Sequence, residues 1–257
     1  MLCVTLFAIA TALHDFIVIV SNNARASGGL LNDLWRAVYT TDSAFARDYP
    51  TITLPFTLCN GSFRRKQIYH GHTTNLQKNS SNIVFPTLYD EHGKKYATSD
   101  AIVTVRGITS GIRGLKHGTK RPTLVILDDL QSTETAENAE QVEKMITVIN
   151  KDIIPLAGKQ RLSILQTATP ICADDLVDRL QHDKSWQTTL YPAIIKYPDK
   201  MDMWDEYLKI FDAESVELTD HSRSLKYYED HRQEMDEGAV LFNPTRFCRE
   251  DGHISAL

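Results

Sequence analysis

The stretch RPTLVILDDLQ, residues 121–131, decides the predicted fold. Thr123 to Leu127 form a run suited to a buried strand, and two adjacent carboxylates, Asp128 and Asp129, follow it directly. Ionised groups are costly to bury, so paired acids at the end of a buried strand need an explanation. The usual one is a metal ion with its water, since Mg²⁺ prefers oxygen ligands. The alternative is a helix cap or a turn after the strand.

Other apolar runs flank this stretch along the chain. FIVIV, residues 16–20, ends in Ser and Asn and fits a central parallel strand, and QRLSILQTATP, residues 160–170, is predicted to be another buried strand. Segments with helically spaced apolar residues separate these runs. Strands that alternate with helices predict an α/β fold with a mainly parallel sheet.

Two parts of the chain depart from this alternation. Residues 48–110 are more polar, and their short runs are broken by Pro and Gly, which predicts hairpins, a strand-rich insertion or a sheet edge. The candidate strands there are TITLPF, QIYHGH, NIVFPTLY and AIVTVRG. Residues 201–257 contain two amphipathic helical patterns, the second of which we expect to stop at Gly238.

Composition indicates an ordinary globular protein. The chain has 257 residues, of which 42% are hydrophobic and 24% charged, and a net charge of −5, so any DNA contact has to be local. The four cysteines show no zinc or disulfide spacing. The apolar run at residues 1–13 has no preceding Lys or Arg and is too short to span a bilayer. We therefore expect a buried helix there and no membrane association.

The strand after the acids also ends in polar side chains. Thr167 and Thr169 follow its apolar residues, and hydroxyl groups both donate and accept hydrogen bonds, which suits them to sense a phosphate. The alternative is an ordinary turn before Pro170. Two polar strand ends in this order and spacing are more specific than either one alone.

Two basic stretches are candidate phosphate contacts. GIRGLKHGTKR, residues 111–121, offers Arg113 to a nucleotide or to DNA; the alternative is a solvated loop. SFRRKQIYHGH, residues 62–72, places Arg64, Arg65 and Lys66 beside Tyr69, a combination that is able to follow a nucleic-acid backbone. A basic hairpin without a ligand is the alternative there.

Several stretches in sequence order resemble the ATPase region of the large terminase subunit of tailed bacteriophages, the motor that pumps DNA into the procapsid. A strand ending in two acids is the Walker B arrangement of P-loop NTPases, and LSILQTATP and DDLVDRL follow it in the order of that family. FIVIVSNNARASGGLLNDLWRAV, IRGLKHGTKRP and LKYYEDHRQEMDEGAVLFNPTRF are also similar to its segments. The resemblance covers nearly the whole chain, with residues 48–110 the least defined part.

The resemblance implies a P-loop NTPase fold of the RecA/ASCE-like type and a role for four of the candidate residues. Asp128 would hold Mg²⁺, Asp129 would deprotonate the attacking water, and Thr167 and Thr169 would sense the γ-phosphate. Arg113 is a candidate from its basic loop alone, as a phosphate or DNA contact or as an arginine that acts on the nucleotide of a neighbouring copy in a ring. The implied cofactors are ATP and Mg²⁺. The implied partners are double-stranded DNA, the small terminase subunit and the portal protein, with a ring homo-oligomer on the portal in the cytoplasm of a bacterial host.

The sequence also departs from that family. It contains no GxxxxGK[ST] motif, whose backbone cradles phosphates; LAGKQR, residues 156–161, has Gln160 at the Ser/Thr position and follows the acids. In the family the P-loop would lie just upstream of Met1, and a nuclease domain would begin near Leu257.

The expected organisation is therefore an ATPase core without its P-loop at residues 1–200 and a helical connector at 201–257. We expect the isolated chain to hydrolyse ATP weakly or not at all. Two alternatives stay open: a helicase-like ATPase fragment, and a non-catalytic DNA- or portal-binding remnant of a prophage gene.

Overall fold

A six-stranded sheet forms the centre of the first of two units in the computed structural model, which describes residues 1–60, 63, 67–217 and 220–243. The units are residues 1–186 and 187–257. The helices of the first unit are α1 (Leu2–Ala10), α2 (Ala24–Tyr39), α3 (Ala44–Asp48), α4 (Pro50–Leu58), α5 (Thr133–Ala136), α6 (Ala139–Val148) and α7 (Leu176–His182). A π-helical turn (Ile149–Ile153) and a 3₁₀ turn (Ile154–Ala157) follow α6.

The strands of the first unit are β1 (Phe16–Ser21), β2 (Gln67–Tyr69), β3 (His72–Thr74), β4 (Gln77–Lys78), β5 (Asn82–Val84), β6 (Ile102–Gly107), β7 (Leu124–Asp128) and β8 (Ser163–Thr167). The sheet order is β4-β5-β6-β1-β7-β8. β6, β1, β7 and β8 run parallel, and β4 and β5 add an antiparallel edge. This arrangement confirms the predicted α/β fold with a mainly parallel sheet and flanking helices.

Helices cover the sheet on both faces, as a hydrophobic parallel sheet requires. Successive side chains of β1 point to opposite faces of the sheet. Ile17 and Ile19 belong to the apolar cluster on one face, and Val18 and Val20 belong to the cluster on the other. The first cluster includes Leu31, Leu34, Val38, Ile52 and Phe56 of α2 and α4. The second includes Val142, Met145, Ile149, Ile153, Leu176 and Leu180.

One predicted strand is a helix. TITLPF, residues 51–56, lies within α4, which begins with Pro50 at its first turn. A proline there fixes φ at a helical value and gives up an N–H that has no partner in the first turn. Ile52 and Phe56 are one helical turn apart and buried, and Phe56 meets Trp35 of α2 edge to face at 5.6 Å. Packing on α2 thus outweighs the β propensity of this short run.

Two other strand predictions need correction, because sheet order decides how deeply a strand is buried. AIVTVRG was predicted as a hairpin or edge strand, but β6 is interior and pairs with both β1 and β5. QRLSILQTATP was predicted to be buried, but β8 is an edge strand whose residues alternate between exposed and half-buried. QIYHGH does form the predicted hairpin, β2–β3.

The second unit contains β9 (Ile194–Lys196), α8 (Met201–Glu217), α9 (Ser222–Met235) and β10 (Val240–Leu241). Trp204, Tyr207, Tyr228 and Met235 form the core between the two helices. The Trp204 indole N–H donates to the Met235 carbonyl at 2.7 Å. None of the described helices has both the length and the apolar character needed to cross a bilayer.

Candidate functional site

The carboxyl ends of the four parallel strands lie in one row across the sheet. Strand pairing places Gly107 beside Ser21, Ser21 beside Asp128, and Asp128 beside Thr167. Ligands of open α/β sheets bind outside this edge, where the strand ends diverge. The row therefore places a glycine and three polar side chains where such a ligand would lie.

Asp128 and Thr167 contact each other within this row. The Thr167 hydroxyl donates to one carboxylate oxygen of Asp128 at 3.0 Å. Asp128 is half-buried and follows four buried residues of β7, whereas Thr167 is exposed at the end of β8. The hydrogen bond orients the Asp128 carboxylate, and no described residue bonds to its second oxygen. One carboxylate oxygen thus remains accessible to a hydrated cation.

Asp129 turns the chain away from the strand. Its φ of +42° lies in the left-handed region, which costs roughly 1–2 kcal/mol for most residues but is tolerated better by Asp. Its backbone N–H still donates to the Thr167 carbonyl at 3.1 Å, and its side chain is exposed. Neither acid is fully buried, so the fold does not need a metal to offset the burial of these charges.

Ser21 and Gly107 complete the row, although neither was singled out in the sequence. A Cβ on Gly107 would lie 2.8 Å from the backbone carbon of Asn23 and the nitrogen of Ala24, so only glycine permits this close approach. Ser21 is 3% exposed, and its hydroxyl donates to the Asn23 carbonyl at 3.1 Å. The sequence did carry a signal for both residues, because Ser21 and Gly107 are the small residues that end the apolar runs of β1 and β6.

Hydrogen bonds also join the segments that follow β7 and β8. The side-chain oxygen of Gln131 accepts from the backbone N–H of Leu176 at 2.9 Å. Asp175 is fully buried and accepts from the N–H groups of Ile171 and Asp178 at 2.7 and 2.8 Å. Burial alone would raise the pKa of Asp175, but these backbone donors outweigh it and lower the pKa. The carboxylate therefore stabilises the turn into α7.

The other predicted site residues that the structure describes, Thr169 and Arg113, lie at the surface. Thr169 is exposed two residues beyond β8, and Arg113 is exposed in a turn of the loop between β6 and β7. Within the described parts of the chain, no acid pairs with Arg113. In the same loop Lys120 forms an ion pair with Asp15 at 3.0 Å and therefore has a structural contact. Arg64, Arg65 and Lys66 lie outside the described residues.

The described residues form no cluster of three or more His, Cys, Asp or Glu side chains suited to a metal. A cation at Asp128 would thus take most of its ligands from water and from a phosphate. Mg²⁺ commonly binds in this way, through one or two carboxylates and several waters. The donor set fits a nucleotide-bound Mg²⁺ better than a permanent metal centre.

Comparisons with known proteins assign no family. No protein-family model matches the sequence, and no curated protein matches it. Among solved structures the chain is similar to the large terminase ATPase domain of Thermus phage P74-26, with 16% identity and a TM-score of 0.42. That match covers 90% of this chain and 80% of the other. A likeness of this size carries no functional argument.

Proposed function

We propose that the row of strand ends is a Mg²⁺–nucleotide site and that the chain is the ATPase part of a DNA-packaging motor of the large-terminase type. The observation that carries the proposal is the 3.0 Å hydrogen bond between the Thr167 hydroxyl and Asp128. It joins the ends of two adjacent parallel strands, at the edge of an α/β sheet where ligands bind. A catalytic acid pair has to lie close to the transferred phosphate, and this contact brings Thr167 to the same place.

Each candidate residue has a role in this proposal. Asp128 would hold Mg²⁺ through water, and Asp129 would orient and deprotonate the water that attacks the γ-phosphate. Thr167 would sense the phosphate, because its hydroxyl bonds to the metal-binding carboxylate while its backbone belongs to β8. When the γ-phosphate leaves, the ligands of the metal would change, and the Asp128–Thr167 hydrogen bond would pass the resulting shift of Asp128 to the segment after β8.

Thr169 and Arg113 would act only when a ligand is bound. Both side chains are exposed near segments that leave the sheet, so neither is committed to a packing role. We propose Thr169 as a second γ-phosphate contact and Arg113 as a nucleotide contact. The resemblance of LSILQTATP to the family supports the role of Thr169, and the basic loop around Arg113 supports the role of Arg113.

The motor role carries further proposals. ATP and Mg²⁺ would be the cofactors, and double-stranded DNA, the small terminase subunit and the portal protein would be the partners, in the cytoplasm of a bacterial host. Residues 1–200 would form the ATPase core and 201–257 a connector. Because the sequence has no GxxxxGK[ST] motif, we propose that this chain alone hydrolyses ATP weakly or not at all.

Binding of a fluorescent ATP analogue with and without Mg²⁺ tests the site. We expect weak, Mg²⁺-dependent binding that Asp128→Asn removes and Asp42→Asn preserves, because Asp42 is an exposed acid beyond the far end of α2. Equal binding by both variants would refute the assignment of Asp128. Sequencing the source locus tests the motor role: an in-frame GxxxxGK[ST] shortly upstream would support it, and unrelated genes on both sides would count against it.

One observation favours a second candidate, a non-catalytic binding module. Asp128 is already hydrogen-bonded and both acids reach the surface, so the fold is complete without a metal. In that case Asp128→Ala would change the stability of the protein and would leave its ligand binding unchanged.

A further inference from the structure

A pocket of about 530 Å³ opens at the surface of the first unit, between α4, the β2–β3 hairpin and the loop that joins β5 to β6. Its volume is typical of a small-molecule site. Three tyrosines and two histidines line it, together with two acids, Asp90 and Glu91. The pocket thus combines aromatic rings with negative charge.

The pocket lies at the end of the sheet opposite to the candidate site. Val84 at the end of β5 pairs with Ile102 at the start of β6, so the loop between them, residues 85–101, lies at the amino ends of the parallel strands. The row of strand ends lies at the carboxyl ends. A ligand in this pocket therefore uses none of the residues proposed to bind a nucleotide.

The β2–β3 hairpin holds one aromatic wall of the pocket in place. Tyr69 pairs with His72, and His70 and Gly71 between them have φ of +46° and +78°. A type I′ turn requires positive φ at both of its central residues. His70 contacts Tyr69 edge to face at 4.2 Å, and His72 stacks on Tyr89 at 4.5 Å. The stack ties the hairpin to the 85–101 loop.

Hydrogen bonds fix the part of the 85–101 loop that forms another wall. The Tyr96 N–H donates to the Leu88 carbonyl at 3.0 Å, and the Leu88 N–H donates to the Ser99 hydroxyl at 2.9 Å. The Ser99 hydroxyl in turn donates to the Leu88 carbonyl at 2.9 Å. The lining is therefore held in place before a ligand arrives, which reduces the entropy cost of binding.

The two carboxylates lack a cationic partner in the lining. One oxygen of Asp90 accepts from the backbone N–H groups of His92 and Lys94 at 3.0 and 2.8 Å, whereas no described residue bonds to the other oxygen. Glu91 lies 3.8 Å from His92, and both side chains are exposed, so this pair is weak. No Lys or Arg occurs among the described residues that line the pocket.

Other classes of ligand fit this pocket less well. An anion would meet two carboxylates, and amides at the start of α4 are already used, since those of Ile52 and Thr53 donate to the Tyr49 carbonyl at 3.1 and 3.3 Å. The described residues also bring no three His, Cys, Asp or Glu side chains together for a metal. An organic cation uses both features, because ring faces attract positive charge and carboxylates accept its N–H groups.

We propose that this pocket binds a guanidinium group, with its plane against a tyrosine ring and its N–H edge on Asp90 and Glu91. A guanidinium ion is planar and weakly hydrated, stacks on aromatic rings and donates to carboxylates in pairs, whereas an ammonium ion is a compact, strongly hydrated charge. The group belongs either to a small guanidine compound or to an arginine side chain of another chain. The proposal does not depend on nucleotide binding.

Titration of the whole chain with butylguanidine, followed through amide NMR spectra, tests the site. We expect the amide signals of residues 69–72 and 88–96 to shift. Butylurea is the matched probe, because it has nearly the same shape without the charge, and it should leave these signals unchanged. Equal shifts with both compounds, or shifts confined to other parts of the chain, would overturn the proposal. Butylammonium binding as tight as that of butylguanidine would contradict the choice of a guanidinium group.

Removal of the two charges tests the acidic part of the pocket. In the double variant Asp90→Asn/Glu91→Gln, the Asn carbonyl oxygen still accepts from His92 and Lys94, so the turn is retained. We expect the Kd for butylguanidine to rise roughly tenfold, because charge-assisted hydrogen bonds are lost. The control is Asp42→Asn/Glu137→Gln, which removes two exposed acids elsewhere in the first unit and should leave the Kd unchanged.

Replacement of a ring tests the aromatic part of the pocket. Tyr96 is 43% exposed, so Tyr96→Leu removes its ring without opening the core, and we expect binding to weaken roughly three- to tenfold. Tyr96→Phe keeps the ring face and should bind nearly as the wild type does. Tyr191→Leu, at a 68% exposed tyrosine of the second unit, is the control. Circular dichroism melts verify folding, and wild-type affinity in both the acid and the ring variants would refute the pocket.

A blocked arginine, acetyl-arginine methylamide, distinguishes the two sources of the group. Binding as tight as that of butylguanidine would mean that the pocket admits an arginine within a protein chain. Binding of butylguanidine alone would assign the pocket to a small guanidine compound. Either result upholds the guanidinium pocket, and a failure of both compounds to bind would overturn it.

Discussion

Two carboxylates, Glu214 in the helical unit and Asp128 in the sheet unit, show how differently an acid is used in this protein. Glu214 is fully buried, and its carboxylate accepts from the backbone N–H groups of Arg223 and Ser224 at 2.7 and 3.0 Å. Asp128 is half-buried and accepts one bond from a threonine hydroxyl. An acid surrounded by fixed donors holds the fold together, whereas an acid with one accessible oxygen is available to a ligand.

The pKa of Glu214 reflects its surroundings. Burial alone would raise it, but hydrogen bonds from Ser224 and from the Arg223 backbone outweigh burial and lower the pKa to about 2. The ionised side chain therefore stabilises the folded unit above the ordinary glutamate pKa of 4.5. That stabilisation is lost as the pH falls from about 4.5 towards 2.

The largest effect on stability is expected from Glu214→Ala. The variant leaves one buried and one partly buried backbone donor at the start of α9 without their acceptor, so the melting temperature of the α8–α9 pair should fall more than in the two comparisons that follow. Glu214→Gln is the matched control, because it retains one acceptor and loses the charge. The stability difference between wild type and Glu214→Gln should shrink below pH 4.5; a difference independent of pH would contradict the structural role of the charge.

A somewhat smaller effect is expected from Gly107→Ala in the row of strand ends. The added methyl group would lie 2.8 Å from the backbone of Asn23 and Ala24, and such overpacking costs about 1–3 kcal/mol. Gly28→Ala in α2 is the control, since nothing lies within 4 Å of its Cβ position and alanine favours a helix by about 1 kcal/mol. Chemical denaturation should show opposite signs for the two variants, and a neutral Gly107→Ala would refute the close approach.

The smallest effect on stability is expected from Thr167→Val and Asp128→Asn. Removal of the Thr167 hydroxyl breaks one partly exposed hydrogen bond, which is worth about 0.5–1.5 kcal/mol, and Thr167→Ser should retain it. Asn at position 128 still accepts the bond through its carbonyl oxygen, so denaturation should show little change. A large loss of stability with Asp128→Asn would mean that Asp128, like Glu214, is a structural acid.

The sequence predicts the β7 end well because its signal is local. Four apolar residues of suitable propensity precede Asp128 and Asp129, and the next strand ends at Thr167, so chain order and strand direction together bring these residues to one edge. The sequence does not predict sheet order. That is why β8 was expected to be buried and β6 to lie at an edge, although β6 contributes Gly107 to the row.

Short apolar runs and exposed loops set the other limits. The run TITLPF is too short for its hydrophobic periodicity to distinguish a strand from a helix. Packing of Phe56 against Trp35 favours the helix. Arg113 and Thr169 lie on exposed segments, where their roles depend on a ligand, and their assignments stay predictions. Glu214 carried no sequence signal, since the backbone N–H groups that donate to it belong to the first turn of α9, a different helix.

The most direct test of the central claim uses Mn²⁺ as a paramagnetic stand-in for Mg²⁺ in an NMR titration of the whole chain. A Mn²⁺ ion held at Asp128 should broaden the amide signals of Ser21, Gly107, Asp128 and Thr167 before others, and Asp128→Asn should abolish this selective broadening. That result would establish the row of strand ends as a cation site. Broadening confined to other acidic patches, or unchanged in Asp128→Asn, would contradict the account.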